Sequence, residues 1–476
     1  ITMNKVGKNL LYQSSYQVLK ILMPLVTVPI VAHSLGAGGV GKYAFANSIA
    51  QYFVLVTALG LPLYGTREIA KVVDDKTLLS KKFWTLEGFS LLLTAVILIC
   101  YFITGLIFNL GTVYFIQSLL VVAAGLDVSW FFMGIEDFQK ITIVNFLLQL
   151  TSFFLIVTQI NSADDLIKYT VILTLVAFFN PLTLWFFLRE QIHFVKPIFS
   201  EMWLALKESA VLFIPQVAII LYTNLNKTML GTLGSKSFVG IFSNALLVTT
   251  IFITLISSID TVLMPHATRL FSKNEYDKGY LMIQRVLNFE AYFTIAISAG
   301  IIAIADKLIP WFFGSTFSSM NLVLPILGLL VIAIPGGMTI SRQYLIPQGR
   351  IKEYNTSVYI GAILSIGLNF ILIPILGAIG AAIVSVVVEI LIWVIRLWDF
   401  WKRTHLSYSR WQVLMNVLSA IAMIFVIKLF TMNMTANLLT TIIQAILGVI
   451  VYVTLTTVLN ANPVLPLYRE FRNKKS

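Results

Sequence analysis

The chain has 476 residues, of which 58% are hydrophobic and only 11% are charged. A soluble globular protein is about half apolar and about a quarter charged, so this composition excludes the water-soluble class. The formal charge of +12 would suggest a nucleic-acid partner in a soluble protein. In a membrane chain it is better explained by basic cytoplasmic loops, and we expect no nucleic-acid partner.

Hydropathy predicts an all-α polytopic membrane protein with fourteen transmembrane helices, since each span needs about 20 apolar residues. In chain order the predicted spans cover approximately residues 11–31, 43–64, 83–108, 113–133, 141–160, 166–188, 209–233, 238–264, 286–305, 322–346, 357–376, 378–397, 411–430 and 438–459. The connecting loops on the outer side are all short, which leaves no room for an extracellular domain.

Lysine and arginine residues are concentrated in the loops on the side of the two termini. The opposite side holds few basic residues, namely Lys42, Lys168, Lys236 and Lys307. Basic residues collect in cytoplasmic loops, so both termini are predicted to be cytoplasmic. We expect the chain to lie in a membrane that borders the cytoplasm.

Two segments resemble each other: SLGAGGVGKYAFANS at 34–48 and TLGSKSFVGIFSNAL at 232–246. Each joins an outgoing span to a returning one, and six spans separate the copies, which predicts a parallel repeat of two pseudo-symmetric six-helix lobes. Between the lobes, KPIFSEMWLALKE mixes apolar and charged residues as an interfacial helix does. The predicted domains are an N-lobe at 1–195, an interfacial linker helix at 196–208, a C-lobe at 209–400, and spans thirteen and fourteen with a basic tail at 401–476.

Lys20 lies about halfway along the first predicted span. Gln13, Gln17 and Pro24 share its helical face at spacings of seven, three and four residues, giving a polar stripe. An ionisable residue in hydrocarbon is costly and usually faces protein or water. The stripe indicates a water-filled cavity in which Lys20 is the cation for an anionic substrate. The alternative is that Lys20 snorkels to the membrane surface or is paired internally.

Lys227 occupies the comparable place in the seventh span. If the repeat holds, Lys20 and Lys227 face one another across a central cleft and contact the substrate. The polar residues predicted to line this cleft with them are Asn47, Gln51, Gln216, Thr223, Asn224 and Asn244.

Arg342 follows a flexible IPGGMT stretch near the cytoplasmic end of the tenth span. It is either an inner gate or anion contact, or an interfacial arginine. Three acidic residues at or within span ends either pair with basic neighbours or serve ion coupling or gating: Asp127, Asp260 and Glu290. Glu87 and Arg396 lie near the predicted cytoplasmic interface, and we assign them no special role.

Motifs for metal, nucleotide or nucleophile chemistry are missing from the sequence: Cys100 is the single cysteine and the four histidines are far apart. We therefore expect neither a metal nor an organic cofactor. Transport would be driven by the membrane potential, by H⁺ or Na⁺, or by the substrate gradient.

The residues LDVSWFFMGIEDFQK at 126–140 resemble the signature at the end of the fourth span in bacterial polysaccharide transporters, the Wzx-type lipid-linked oligosaccharide flippases. LGAIGAAIVSVV at 376–387 is similar to a Gly- and Ala-rich turn of that family and its superfamily of multidrug, oligosaccharidyl-lipid and polysaccharide exporters. The polar first span and the segment at 34–48 also resemble the family.

The resemblance implies two lobes that alternate between inward-facing and outward-facing states. It also implies a cationic cavity for the pyrophosphate of an undecaprenyl-linked glycan, a role that Lys20 and Lys227 fit by position, with Arg342 as a further candidate. A capsule, exopolysaccharide or teichoic-acid precursor is the expected cargo, from a Gram-positive source, with contact to polymer-assembly enzymes. The alternatives are a cation-coupled multidrug exporter of the same superfamily and a membrane polymerase or glycosyltransferase.

Overall fold

A computed structural model of the chain describes residues 2–464, apart from the side chains of residues 2–21, 211, 212, 214–216 and 218–223. The described residues form helices joined by turns, with no strand among them. The predicted all-α class is therefore confirmed.

The chain divides into two compact units, Ile1–Thr228 and Met229–Ser476. The first unit contains α1 (Thr2–Ala58), α2 (Leu61–Ala70), α3 (Lys76–Ile107), α4 (Thr112–Ile116), α5 (Ser118–Gly125), α6 (Ser129–Gly134), α7 (Phe138–Gln159), α8 (Leu166–Leu188) and most of α9 (Phe199–Leu233). The second contains α10 (Lys236–Ser272), α11 (Tyr276–Phe312), α12 (Met320–Gly328), α13 (Leu330–Ile340), α14 (Ile351–Leu376), α15 (Ala378–Thr404), α16 (Arg410–Thr431) and α17 (Leu438–Val458).

Helix α9 differs from the predicted domain organisation. It runs without a break from Phe199 to Leu233, so residues 199–208 and the seventh predicted span form one helix. No glycine or proline separates residues 199–208 from residue 211, and a change in polarity alone does not end a helix. The predicted boundary at 208 therefore falls inside a helix, whereas 195 lies in the loop before α9. A position of residues 199–208 along the membrane surface stays a prediction.

Twelve segments of the described residues are long and apolar enough to cross a membrane. The first, Leu22–Ala70, contains the second predicted span and residues 22–31 of the first, and the others correspond to every later predicted span except the seventh. That span lies in α9, where many side chains fall outside the described part. The chain is a multi-pass membrane protein.

Several predicted spans are kinked or broken. In α1, Gly36 has φ 62° and ψ 177°, a conformation that favours glycine, and the helix kinks there without ending. Helix α1 ends before Leu59 and Gly60, which both have positive φ and separate it from α2. The fourth span is divided into α4, α5 and α6, and the tenth into α12, α13 and a π-helical turn at Ser341–Leu345.

A cluster of aromatic residues fixes α6 against α2 and α3 in the first unit. The ring of Trp130 stacks on Phe83 with centroids 5.5 Å apart and an interplanar angle of 19°. Gly65 of α2 lies so close that an added Cβ would be 2.6 Å from the indole. This contact holds the turn between α5 and α6, which carries Asp127.

Candidate functional site

A cavity of about 470 Å³ lies within the first unit, and polar side chains from four segments line it. They are Gln51 of α1, Asp127 of the turn between α5 and α6, Asn145 of α7 and Asn180 of α8. Gln51 and Asp127 were predicted in separate roles, as a cavity residue and an ion-coupling or gating residue, and the structure brings them together. Asn145 and Asn180 were not among the site residues predicted from the sequence.

Several hydrogen-bond donors and acceptors on the side chains that line this cavity have no partner among the described residues. Asn180 donates through Nδ2 to Oδ1 of Asn145. One oxygen of Asp127 accepts the backbone N–H of Ser129 at 2.9 Å and so caps α6. Gln51 makes no hydrogen bond within the described part of the chain, so its amide is open to a ligand or water.

Trp130 forms a rigid wall of the cavity. It is 1% exposed and is held by Phe83 and Gly65. Its indole N–H is buried and has no acceptor among the described residues. Buried donors without a partner are uncommon in folded proteins.

The burial of Glu87 on α3 does not fit its interpretation as an interfacial residue without a special role. Its side chain is completely buried, and neither carboxyl oxygen has a hydrogen-bond partner in the described residues. Asp127 lies close enough for the two carboxyls to repel each other when both are ionised. Buried polar groups without partners are rare and costly, so Glu87 joins the candidate residues. The short distance in sequence between Glu87 and the basic loop did not indicate that its side chain is buried.

Lys227 on α9 is half-buried and makes no ion pair or hydrogen bond within the described residues. The next residue, Thr228, meets α1, because its hydroxyl lies 2.9 Å from that of Ser48 and 3.1 Å from that of Tyr52. Asn47, beside Ser48, is half-buried and likewise has no hydrogen bond in the described part. The first unit thus holds an uncompensated cation close to a polar segment of α1.

Five of the predicted site residues lie outside the described side chains: Gln13, Gln17, Lys20, Gln216 and Thr223. Asn224 is half-buried on α9. The pairing of Lys20 with Lys227 across a cleft stays a prediction.

In the second unit, Asp260 and Glu290 come together around α13 and the π-helical turn that follows it. Gln343 donates to Oδ1 of Asp260 at 2.7 Å, and Thr339 donates to Oε2 of Glu290 at 2.5 Å. The second oxygen of each carboxyl is buried without a partner among the described residues. Neither carboxyl has an ion pair with a basic side chain there, so the structure does not support simple structural pairing.

Arg342 and Asn244 occupy different places in the second unit. Arg342 donates through Nη1 to the backbone oxygen of Ser257 at 3.2 Å and to Oγ1 of Thr261 at 2.8 Å, which ties the π-helical turn to α10. Asn244 is buried, and its Nδ2 has no acceptor within the described residues. No interaction in the described part joins these two side chains.

Glu290 also lines a cavity of about 800 Å³ with mainly apolar walls, formed with residues of α13, α15 and α16. Trp393 and Tyr408 share this cavity, and burial raises the pKa of the Tyr408 hydroxyl. Arg396 is buried nearby, contrary to its interpretation as an interfacial residue. It donates to Oγ of Ser357 at 2.9 Å and to the backbone oxygen of Gly337 at 3.2 Å.

Basic side chains of α2 and α3 surround Glu68. Its carboxylate pairs with Lys71 at 2.7 Å, Lys82 at 2.9 Å and Arg67 at 3.3 Å. We call these four residues the Glu68 cluster. It lines a cavity of about 790 Å³ and joins two helices through a single buried acid.

The sequence matches a protein-family model described as "Polysaccharide biosynthesis protein" over residues 6–271. A putative O-antigen transporter of Escherichia coli (strain K12) is 23% identical over 406 residues, which cover 81% of this chain and 94% of that protein. A putative O-antigen transporter of Shigella dysenteriae is also 23% identical, over 394 residues that cover 81% of this chain and 97% of that protein.

Two solved structures share the fold. The lipid II flippase MurJ in an inward closed conformation superposes with a TM-score of 0.76 at 17% identity, covering 97% of this chain and 99% of that one. An inward-facing multidrug resistance MATE family transporter of the MOP superfamily gives a TM-score of 0.65 at 16% identity, covering 81% and 94%. At these identities the similarity establishes the architecture alone.

Proposed function

Because this chain belongs to the polysaccharide biosynthesis protein family, we propose that it is a flippase for a lipid-linked glycan. It moves an undecaprenyl-pyrophosphate-linked oligosaccharide from the inner to the outer leaflet of the cytoplasmic membrane by alternating access. The cargo is a capsule, exopolysaccharide or teichoic-acid precursor. Polymer-assembly enzymes at the outer leaflet receive it.

The observation that carries this proposal is the family match over residues 6–271, which covers all but the first five residues of the first unit. Relatives named as O-antigen transporters align with this chain over nearly their entire length. The fold is that of a lipid II flippase and a multidrug transporter, so family and architecture both support transport rather than catalysis.

Lys227 supplies the charge that an anionic head group needs. A half-buried ammonium without an ion pair in the described residues is costly unless a ligand or water solvates it. A pyrophosphate offers several acceptor oxygens, and hydrogen bonds between charged groups are stronger than neutral ones. Lys20 and Arg342 are further contacts in this proposal.

A cation-coupled multidrug exporter is the second candidate. The MATE-type fold, half-buried Asp127 and the buried acids Asp260 and Glu290 favour it, since carboxylates suit cationic drugs and coupling ions. A membrane polymerase or glycosyltransferase is a weaker third candidate.

The test is export of the surface polymer in cells that lack the chromosomal copy. We expect deletion to stop export and to accumulate lipid-linked precursor, and the wild-type chain to restore export. Lys227→Gln should lower export at least tenfold at an unchanged membrane level of protein, while Lys227→Arg keeps part of it.

Lys42→Gln is the matched control, because Lys42 is exposed on α1. Unchanged polymer export after deletion, combined with new sensitivity to cationic dyes, would refute the flippase and favour the drug exporter.

A further inference from the structure

We propose that the 470 Å³ cavity of the first unit is a subsite for a neutral sugar of the transported glycan. The inference rests on the proposed flippase function and adds to it a place where the cargo's carbohydrate is recognised. It is carried by a juxtaposition of side-chain amides and a carboxylate from four separate segments.

The hydrogen-bonding groups of the cavity suit sugar hydroxyls. A hydroxyl both donates and accepts, and so does a side-chain amide. Gln51 is without a hydrogen bond in the described part of the chain and offers two donors and a carbonyl oxygen. The Asn145 and Asn180 pair uses one donor and one acceptor between its members, which leaves an NH₂ on Asn145 and a carbonyl on Asn180.

The charge of the cavity separates it from the proposed pyrophosphate contact. Asp127 is the only ionisable residue among the described residues that line it. A carboxylate repels phosphate but accepts hydrogen bonds from hydroxyl groups. The anionic part of the cargo therefore belongs with Lys227, and the neutral part with this cavity.

The size and rigidity of the cavity also suit a small polar ligand. Its volume of about 470 Å³ falls in the range of roughly 300–1,000 Å³ found for small-molecule pockets. Trp130 is fixed between Phe83 and Gly65, so one wall is formed before any ligand binds. A preformed wall lowers the entropic cost of binding.

Binding to two carriers tests the subsite. The full-length protein in lipid nanodiscs is titrated with lipid-linked oligosaccharide extracted from host membranes, and separately with undecaprenyl pyrophosphate that bears no sugar. We expect the wild type to bind the glycosylated carrier more tightly. Gln51→Leu and Asn145→Leu should each weaken that binding about three- to tenfold, as expected for a lost hydrogen bond, and leave binding of the bare carrier unchanged.

Asn161→Leu is the control, because Asn161 is an exposed amide between α7 and α8, outside the cavity. Gln51→Leu breaks no hydrogen bond to the described residues, so it keeps the test informative if Asn145→Leu misfolds. Equal binding of the two carriers by the wild type, or glycan binding that Gln51→Leu leaves unchanged, overturns the subsite alone. Failure of the wild type to bind either carrier, with binding of ethidium instead, overturns the proposed function as well.

Discussion

The backbone of Gly125 and the side chain of Thr94 make one of the tightest contacts in the first unit. A Cβ added to Gly125 would lie 1.9 Å from Oγ1 of Thr94 and 2.7 Å from its Cγ2. Thr94 is held in place because its hydroxyl donates to the backbone oxygen of Ser90 at 2.6 Å. The close approach lets α3 pack directly against the end of α5, next to Asp127.

We predict that Gly125→Ala destabilises the protein by about 1–3 kcal/mol, the usual cost of overpacking. Thermal unfolding of the detergent-solubilised protein measures the effect. Gly300→Ala is the matched control, since nothing lies within 4 Å of its added Cβ and alanine favours a helix over glycine. Adding Thr94→Ala to Gly125→Ala should recover part of the loss; no recovery would mean that another contact causes the destabilisation.

Sequence reasoning found some residues of the cavity and missed others for a clear reason. Gln51 stood out by its spacing from Asn47, and Asp127 by its place at a span end. Asn145 and Asn180 each stand in an apolar run of a different span, and the same search for polar residues within spans would have found them. Their pairing depends on the packing of α7 on α8, which one sequence does not encode locally.

At the scale of the elements, hydropathy predicted most of the membrane-spanning segments but not their breaks. Hydropathy detects only the length of an apolar stretch, and α4, α5 and α6 together form one such stretch. The turns that divide them depend on backbone hydrogen bonds, such as that from the N–H of Asp127 to the oxygen of Ala124. The kink at Gly36 similarly joins two predicted spans in one helix.

The Glu68 cluster holds the end of α2 to the beginning of α3. We predict that Glu68→Gln destabilises the protein by about 1 kcal/mol at low salt, because three cations then lose their shared partner and repel one another. The difference should shrink in about 0.5 M salt, where screening shortens the reach of charges. Thermal unfolding at two salt concentrations measures both effects.

Glu275→Gln is the control for this prediction. Glu275 pairs with Lys278 at 2.9 Å, and the hydrogen bond from Lys278 lowers its pKa. Lys278 is exposed, Glu275 is only half-buried, and the two are three residues apart, so we expect no measurable change in unfolding temperature. An equal loss in the two variants would show that Glu68 acts as an ordinary surface acid.

At the scale of the whole molecule, the chain divides into two compact units at Thr228 and Met229. The sequence predicted a separate linker helix that ends at residue 208, but α9 continues through that residue to Leu233. Each unit also contains a pair of neighbouring carboxyls, buried Glu87 with half-buried Asp127 and buried Asp260 with buried Glu290. Both glutamates lie in the first half of a long helix that follows a basic loop, which the repeat alone did not reveal.

The proposed cargo carries negative charge, so the membrane potential should drive its export. Moving one negative charge from a negative cytoplasm to the outside releases about 2.3 kcal/mol per 100 mV. We predict that transport of the glycosylated carrier in proteoliposomes accelerates when a potassium diffusion potential makes the cytoplasmic side negative. Reversing that potential should slow transport, and the uncharged ionophore control without a potassium gradient should change nothing. Transport that ignores the potential but follows an imposed Na⁺ or H⁺ gradient would contradict this prediction and assign the coupling to an ion, with the carboxyls of the second unit as the first residues to substitute.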